Sequence, residues 1–443
     1  MTSEPTAATE RFRRRVADRD LVVAVVGLGY VGLPLAVGFA ETGFRVLGFD
    51  VDPERVDALN QGQSHIEDVD ADVVADLVGR GAFSATSLAA DLGAADAIFI
   101  SVPTPFDDSK TPDLSYVRSA AEAVRSAIHP GALVVLQSTT YPGTTAEVVQ
   151  PILERNGLRV GTDLFLAFSP ERVDPGNATW NVRNTPKVVG GTTPDCAAMA
   201  AALLESVLVD EGSVLVLSSP AAAEMTKLLE NTYRAVNIAL VNELAMLARE
   251  MGIDIWEVIG GAASKPFGFQ SFAPGIGPGG HCIPVDPYYL SWRARSFDFQ
   301  TKFIELAADT NLRMAHYVRE RVLVLLNRLG RTLQGSTVLA LGVAFKPGVS
   351  DVRNSRALRV IELLEDAGAE VRFSDPFVSQ IEVGGAVRKG VELTAEAIEQ
   401  ADLVVVLVDH PDWPGDLLRS GDTVLFDAVN ALGAPVRPEH ERL

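Results

Sequence analysis

A short glycine turn near the start of the chain constrains the fold more than any other feature. Leu21 to Val26 (LVVAVV) is a continuous apolar run, the pattern of a strand buried on both faces of a parallel sheet. It leads into Gly27-Leu28-Gly29-Tyr30-Val31-Gly32, a G-x-G-x-x-G turn, and a helical pattern then continues through Ala40. Phe44 to Asp50 (FRVLGFD) reads as the next strand and ends on an acid. In such a unit the first glycine permits the tight turn, the second lets the backbone approach a pyrophosphate, and the third lets helix and strand pack closely. The helix N–H groups and macrodipole then face the anion. Asp50 stands where a carboxylate binds both hydroxyls of an adenosine ribose and repels a 2′-phosphate, so the turn reads as a dinucleotide site that favours NAD over NADP. The plainer alternative, a glycine turn kept only for packing, does not account for the acid.

Apolar runs at Ala97 to Val102 and Ala132 to Gln137 alternate with helix-like segments, and Leu164 to Phe168 and Lys187 to Val189 extend the series. This alternation predicts a parallel sheet with right-handed crossovers. From Ala221 to Met251 there is no Gly or Pro and apolar residues recur at helical spacing, with Gly252 as the stop. Gly260 to Pro287 is rich in Gly and Pro and reads as irregular loop. Asp286-Pro287 before YYLSWRA reads as an N-cap with Pro at the first helical position. Another helix is expected over Thr301 to Leu329. A second alternation begins at Thr337 to Leu341, with a helix over Ser355 to Ala367 and strands at Glu370 to Ser374, Leu403 to Val408 and Thr423 to Asp427. The expected fold class is α/β, with two Rossmann-like doubly wound domains joined by a long central helix. The expected division is a tail at 1–20, a NAD-binding domain at 21–215, a central helical domain at 216–330 and a second Rossmann-like domain at 331–443.

Acids outnumber bases by 58 to 38, for a net charge of −20. No basic footprint for nucleic acid is present, and an anionic ligand needs local positive charge to bind. Residues 1–20 carry an Arg run but no apolar core of a signal peptide, and read as a frayed tail or short exposed helix. No apolar run reaches the ~18 residues of a spanning helix, so no membrane partner is expected. Two cysteines, Cys196 and Cys282, exclude a disulfide framework or a Cys-based zinc site and suit a reducing, cytoplasmic compartment.

Several side chains are candidates for chemistry. Cys282 lies in Gly279-Gly280-His281-Cys282-Ile283-Pro284-Val285-Asp286. Its small neighbours allow a bulky substrate to approach, although a lone cysteine is often a buried small hydrophobe. Cys196 opens an ordinary capped helix and reads as structural. Lys227 and Asn231 are four apart and share a helix face; such a lysine can stabilise an oxyanion or simply face solvent. Asp286 is a helix cap or a base. Glu171, in Ser169-Pro170-Glu171-Arg172, follows a strand end, where α/β proteins place their sites; a loop salt bridge is the plain alternative. Lys346, in the second glycine turn Gly342 to Gly348, suits an anion at the mouth of a parallel sheet. His281 has no second ligand at metal-binding spacing, so no metal is expected.

Seven segments in one order carry a resemblance: GLGYVGLP, SVPTP (Ser101 to Pro105), STTYPGT (Ser138 to Thr144), FSPERVDPGN (Phe168 to Asn177), TKLLENTYRAVNIALVNELA (Thr226 to Ala245), GPGGHCIPVDPYYL (Gly277 to Leu290) and FKPGVSDVRNS (Phe345 to Ser355). From about Leu21 to about Asp427 the chain resembles the UDP-glucose/UDP-N-acetylhexosamine 6-dehydrogenase family. The resemblance implies a four-electron oxidation of a sugar C6 alcohol by two NAD, in polysaccharide biosynthesis. Cys282 would trap the intermediate aldehyde as a thiohemiacetal and then carry a thioester, which water releases as the uronate. Lys227 would stabilise charge on the C6 oxygen, with Asn231 and a water beside it. Asp286 would orient water or move a proton, and Glu171 would be the acid/base of hydrolysis, with Thr139 placing water.

The resemblance also implies NAD contacts from Gly27, Gly29, Tyr30, Val31, Gly32, Asp50, Arg55, Thr104, Thr139 and Arg353. UDP-sugar contacts would come from Glu171, Arg172, Lys227, Asn231, Phe272, Gly275, Gly277, Gly279, Gly280, Phe345 and Lys346. The uridine would lie on the second Rossmann-like half, and the long helix would make a homodimer core. The UDP-glucose branch has Ser-Cys-Phe-x-Lys-Asp around its nucleophile, and a second Glu where this chain has Pro175. The HCIPVDPYYL and SPER-x-DPG forms resemble the N-acetylhexosamine branch, which points to UDP-N-acetylglucosamine, with UDP-N-acetylmannosamine and UDP-glucose as alternatives. A non-catalytic nucleotide-binding module is the remote alternative.

Overall fold

Continuous runs of Val, Ile, Leu and Ala bury strands on both faces, and such runs here build two separate sheets. The structure, a computed structural model, describes residues 6–443 except 108, 109, 175, 176, 178, 210–212, 281, 412, 421, 422 and 436–438. Pro175 and His281 therefore lie outside the described residues. The chain forms two compact units: Met1–Glu230 with Trp292–Phe297, and Asn231–Ser291 with Asp298–Leu443. The dividing line falls inside the long helix Pro220–Glu250.

In the first unit the strands are β1 (Val22–Val26), β2 (Arg45–Phe49), β3 (Phe83–Thr86), β4 (Ala97–Ile100), β5 (Leu133–Leu136), β6 (Phe165–Phe168), β7 (Lys187–Gly191) and β8 (Val214–Leu217). Among the described residues they form one sheet in the order β3-β2-β1-β4-β5-β6-β7-β8. The first six are parallel. The expected parallel extension fails at β7, which is antiparallel to β6, with Phe168 opposite Gly190 and Ala167 opposite Gly191; β8 then runs parallel to β7. Three residues beyond Phe168 is Glu171, and three before Gly190 is Lys187, so the reversal brings these two positions to the same end of the sheet.

At residues 7–17 the short helix is found in place of a frayed tail, but it is not wholly exposed. These residues form the helix Ala7–Ala17, and Phe12 and Val16 are buried in the same core as β1 and the helix Gly32–Glu41. Two apolar residues four apart on one face were hidden in the sequence by the Arg run. Arg15 of this helix pairs with Asp96, 2.6 Å away.

The second unit contains β9 (Thr337–Leu341), β10 (Glu370–Ser374), β11 (Gln380–Val383), β12 (Ala386–Lys389), β13 (Leu403–Val406), β14 (Val424–Asp427) and β15 (His440–Arg442). The sheet order β10-β9-β13-β14-β15 is parallel throughout. The antiparallel pair β11–β12 was not legible as strands, because each is only four residues long and burial alternates in β11 but not in the largely exposed β12. The helices Lys302–Arg328 and Arg356–Asp366 supply Met314, Val318, Val322, Val360 and Leu364 to this unit's core. Gly260 and Gly261, expected in loop, lie inside the helix Ile255–Ala263, whose N-cap is Asp254. Among the described residues no helix is long and apolar enough to cross a membrane.

Candidate active site

The first glycine turn has the geometry that a pyrophosphate requires. Gly27 adopts φ +90°. A Cβ at Gly32 would lie 1.8 Å from the Gly27 carbonyl oxygen, whereas a Cβ at Gly29 would meet nothing within 4 Å. The turn is closed on its packing side and open where a ligand backbone contact is expected, so the residues present fit NAD. Asp50 is buried; one carboxylate oxygen accepts the Leu28 N–H at 2.9 Å and the other the Asp52 N–H at 3.1 Å. Arg55 donates to Asp50 at 2.9 Å. His65, missed in the sequence, bonds the Leu28 carbonyl through Nε2 at 2.9 Å. Burial, reinforced by the Arg55 charge, pushes His65 below its ordinary value. Tyr30 and Val31 are exposed and Thr104 and Thr139 half-buried. Arg353, the remaining residue expected at NAD, belongs to the second unit, where its guanidinium pairs with Asp351.

At the C-terminal ends of β4, β5 and β6, the edge that also carries the glycine turn, a polar chain is largely buried. Ser101 Oγ donates to Gln137 Oε1 at 2.6 Å, and Gln137 Nε2 donates to Glu171 at 3.2 Å. Glu171 also accepts the Arg172 and Val173 N–H groups, and Lys187 Nζ lies 2.9 Å from both its oxygens. Burial alone would raise the Glu171 carboxyl; the Lys187 ammonium and the hydrogen bonds outweigh it and hold the group below the usual carboxylate range. Arg172 turns outward to a two-point contact with Glu230 and donates to the Pro186 carbonyl. Glu224, three residues before Lys227, is fully buried and accepts from the Gly143 N–H, the Thr145 N–H and the Thr145 hydroxyl. Burial pushes Glu224 up. It ties the long helix to the segment after Thr139. Lys227 is half-buried.

The second unit carries the cysteine loop. Cys282 is exposed, whereas Cys196, in the first unit, is buried with its sulfur 3.4 Å from the Leu166 N–H. The Cys282 carbonyl accepts the Asp286 N–H at 2.8 Å, and the helix begins at Asp286 itself. Asp286 is buried, and Asn231 Nδ2 donates to its carboxylate. A buried pair missed in the sequence holds the Phe272 to Gly280 loop. Asn242 Nδ2 donates to Asn311 Oδ1 at 3.0 Å, and Asn242 Oδ1 accepts the Gly275 N–H at 2.9 Å. Phe272 stacks edge-on to Tyr233. Gly280 has φ +81°, and a Cβ there would come within 3.0 Å of the Phe345 ring. The cysteine loop thus packs on the second glycine turn, which Phe345 and the half-buried Lys346 occupy.

That second turn is held by Asp375, which accepts the Val343 and Ala344 N–H groups at 2.7 and 3.2 Å and faces His410 Nε2 at 3.0 Å. His410 Nδ1 accepts the Gly348 N–H at 3.1 Å. Burial raises the Asp375 carboxyl, but His410 and the backbone donors prevail and leave it below its ordinary value. Asp375 was visible as a strand-ending acid; its histidine, 35 residues away, had no local signal. Among the described residues no group of three or more His, Cys, Asp or Glu is placed to hold a metal ion. Within the first unit the structure gathers Glu171, Gln137 and Lys187, and within the second Cys282, Gly280, Asn231, Asp286 and Phe345.

Asp50→Asn removes the charge that a ribose diol needs and that a 2′-phosphate avoids. It is expected to weaken NAD binding by about tenfold, roughly 1.4 kcal/mol, and to narrow the preference over NADP, as measured by titration with each cofactor; unchanged preference would refute the assignment.

Comparisons with known proteins identify the family. Residues 21–208 match the NAD binding domain of the UDP-glucose/GDP-mannose dehydrogenase family, residues 221–313 its central domain and residues 339–434 its UDP binding domain. The chain is 38% identical over 362 residues to a UDP-N-acetyl-D-glucosamine 6-dehydrogenase of Pseudomonas aeruginosa, covering 82% of this chain and 84% of that protein. It is 36% identical over 392 residues to a UDP-N-acetyl-D-mannosamine dehydrogenase of Pyrococcus horikoshii, covering 88% and 90%. A solved structure of UDP-D-ManNAc dehydrogenase from Pyrococcus horikoshii superposes with a TM-score of 0.86 at 33% identity, covering 95% of this chain and 99% of that one. The chain belongs to the UDP-glucose/GDP-mannose dehydrogenase family and is an NAD-dependent nucleotide-sugar dehydrogenase.

Proposed function

We propose that this enzyme oxidises the C6 alcohol of a UDP-N-acetylhexosamine to the uronate in two successive two-electron steps, with UDP-N-acetylglucosamine as the preferred sugar. The observation that carries this reading is the exposed Cys282 in a glycine loop packed on Phe345 of the second glycine turn, with Asp286, four residues beyond Cys282, fastened by Asn231 of the long helix. A two-electron alcohol dehydrogenase has no use for such a thiol.

NAD supplies a hydride acceptor for each step, held by Gly27 to Gly32, Asp50 and Arg55. The protein's own residues do the rest. Lys227 and Asn231 stabilise the C6 oxygen as its proton passes to a bound water. The Cys282 sulfur bonds to the aldehyde carbon while the carbonyl oxygen takes up the thiol proton; the carbon becomes tetrahedral, so its remaining C–H can give a second hydride, and the aldehyde cannot escape. Loss of that hydride leaves a thioester. Water bonds to the acyl carbon, the C–S bond breaks with its electron pair on sulfur, Thr139 and Glu171 place the water, and Asp286 takes its proton. Phe272 to Gly280, Arg172, Phe345 and Lys346 hold the UDP-sugar. A reducing cytoplasm suits a reaction that needs Cys282 as a thiol.

Support for the N-acetylhexosamine class comes from the HCIPVDPYYL and SPER-x-DPG segments and from relatives named for such sugars. The mannosamine epimer is the second reading, favoured by the 36% identical relative. We further propose a homodimer through the long helix, because Leu240, Leu244, Leu247 and Met251 are exposed at spacings of one helix face.

Three outcomes test these proposals. Offered UDP-glucose, UDP-N-acetylglucosamine, UDP-N-acetylmannosamine and their galacto epimers in parallel, the enzyme is expected to turn over UDP-N-acetylglucosamine fastest and to form two NADH per sugar; a ratio of one eliminates the thioester route. Cys282→Ser is expected to lower turnover by roughly a thousandfold or more with NAD affinity retained, and near-normal turnover argues for a thiol-free dehydrogenase. Sedimentation should show a dimer that Leu244→Lys dissociates; a wild-type monomer at micromolar concentration rules the interface out.

A further inference from the structure

Lys187 is one of the most deeply buried charges in the chain, with 1% of its surface exposed, and its partner Glu171 is 8% exposed. Neither the glycine turns nor the cysteine loop explains this pair. A buried charge is tolerated only when it is matched and hydrogen-bonded. Both conditions hold: Nζ lies 2.9 Å from each Glu171 oxygen, while Gln137 Nε2 and the Arg172 and Val173 N–H groups also donate to the carboxylate. An ionised carboxylate offers about four acceptor sites, and these donors fill them. The arrangement exists because β7 runs against β6; a parallel β7 would carry its first residue to the other end of the sheet.

We propose that Lys187 is a positioning residue that holds Glu171 as a fixed anion through the whole reaction, so that Glu171 orients the Ser169 to Val173 turn and its surroundings but does not shuttle a proton. This rests on the reading that Glu171 belongs to the substrate site. It leaves Asp286 as the carboxylate that takes the proton of the hydrolytic water. The charged groups around Glu171 are Lys187 from β7 and Arg172 from its own turn, and Arg172 is engaged by Glu230 of the long helix. Gln137, from the end of β5, is neutral and is oriented by Ser101.

The test compares wild type, Lys187→Met, Lys187→Arg, Glu171→Gln and the double variant Lys187→Met with Glu171→Gln. Uronate release from the acyl-enzyme is followed over about pH 5 to 9, around and above the ordinary carboxylate range. Glu171→Gln is expected to keep the wild-type shape of the pH profile, whatever its rate. Lys187→Met is expected to acquire a new acid limb, because a buried carboxyl without its counter-ion titrates higher. Lys187→Arg should restore the wild-type shape, and the double variant should lack the new limb. A wild-type acid limb that Glu171→Gln abolishes overturns the proposal, as does a wild-type profile in Lys187→Met.

A second measurement does not depend on activity. Wild-type Glu171, held low, lends stability at neutral pH that is lost as pH falls through its folded value. In Lys187→Met the carboxyl is raised instead, so stability returns on acidification. The gap in denaturation midpoint between the two proteins should therefore be widest at neutral pH and narrow towards pH ~4, and should narrow less for the double variant, which has no raised carboxyl to neutralise. A gap independent of pH overturns the fixed-anion assignment. If Glu171→Gln leaves turnover of every sugar untouched while the gap narrows as described, the reading of Glu171 as a substrate-site residue fails and the charge assignment stands.

Discussion

Each sheet depends on one carboxylate at the end of its second strand. The glycine turn that follows the first strand must point backbone N–H groups inward, and buried N–H groups need acceptors. Asp50 takes the Leu28 N–H in the first sheet, and Asp375 takes the Val343 and Ala344 N–H groups in the second. Without these acceptors neither turn could hold the shape that places a ligand at the C-terminal edge of parallel strands.

The two sites diverge in what else their acid does. Among the described residues Asp50 is bonded by Arg55 and the Leu28 and Asp52 N–H groups, and a Cβ at Gly29 would meet nothing within 4 Å, so the turn can offer a carboxylate to a ribose. Asp375 is surrounded by His410 and four backbone donors. His410 reaches through to Gly348 and closes the loop that bears Phe345 and Lys346. One architecture thus yields a dinucleotide turn and a rigid platform for the cysteine loop. The buried pair of Lys187 and Glu171 applies the same principle with full charges, where leaving one member alone costs about 3–5 kcal/mol.

Much of the fold was legible because its signals are local. Apolar runs marked most strands of both sheets, and the absence of Gly and Pro marked the long helix to within a residue at each end. The strands missed were short and partly exposed, β3, β8, β11, β12 and β15, where stretches of three or four residues carry little pattern. The direction of β7 was misread because a strand's residues do not encode which way its neighbour runs. The N-terminal helix was one of two readings, but its buried face was not legible, because the burial of Phe12 and Val16 depends on a surface supplied by other parts of the chain.

By itself the sequence determined the glycine turn and its acid, the glycine-flanked Cys282, and the spacing that puts Lys227 and Asn231 on one helix face, since all are set within a few residues of backbone geometry. Only the tertiary structure decided that Glu171 would meet Lys187, that Asn242 would meet Asn311 and hold Gly275, and that Asp375 would meet His410. Those contacts join residues 16 to 69 positions apart, and a buried polar group takes its partner from whichever strand or helix the packing brings alongside it.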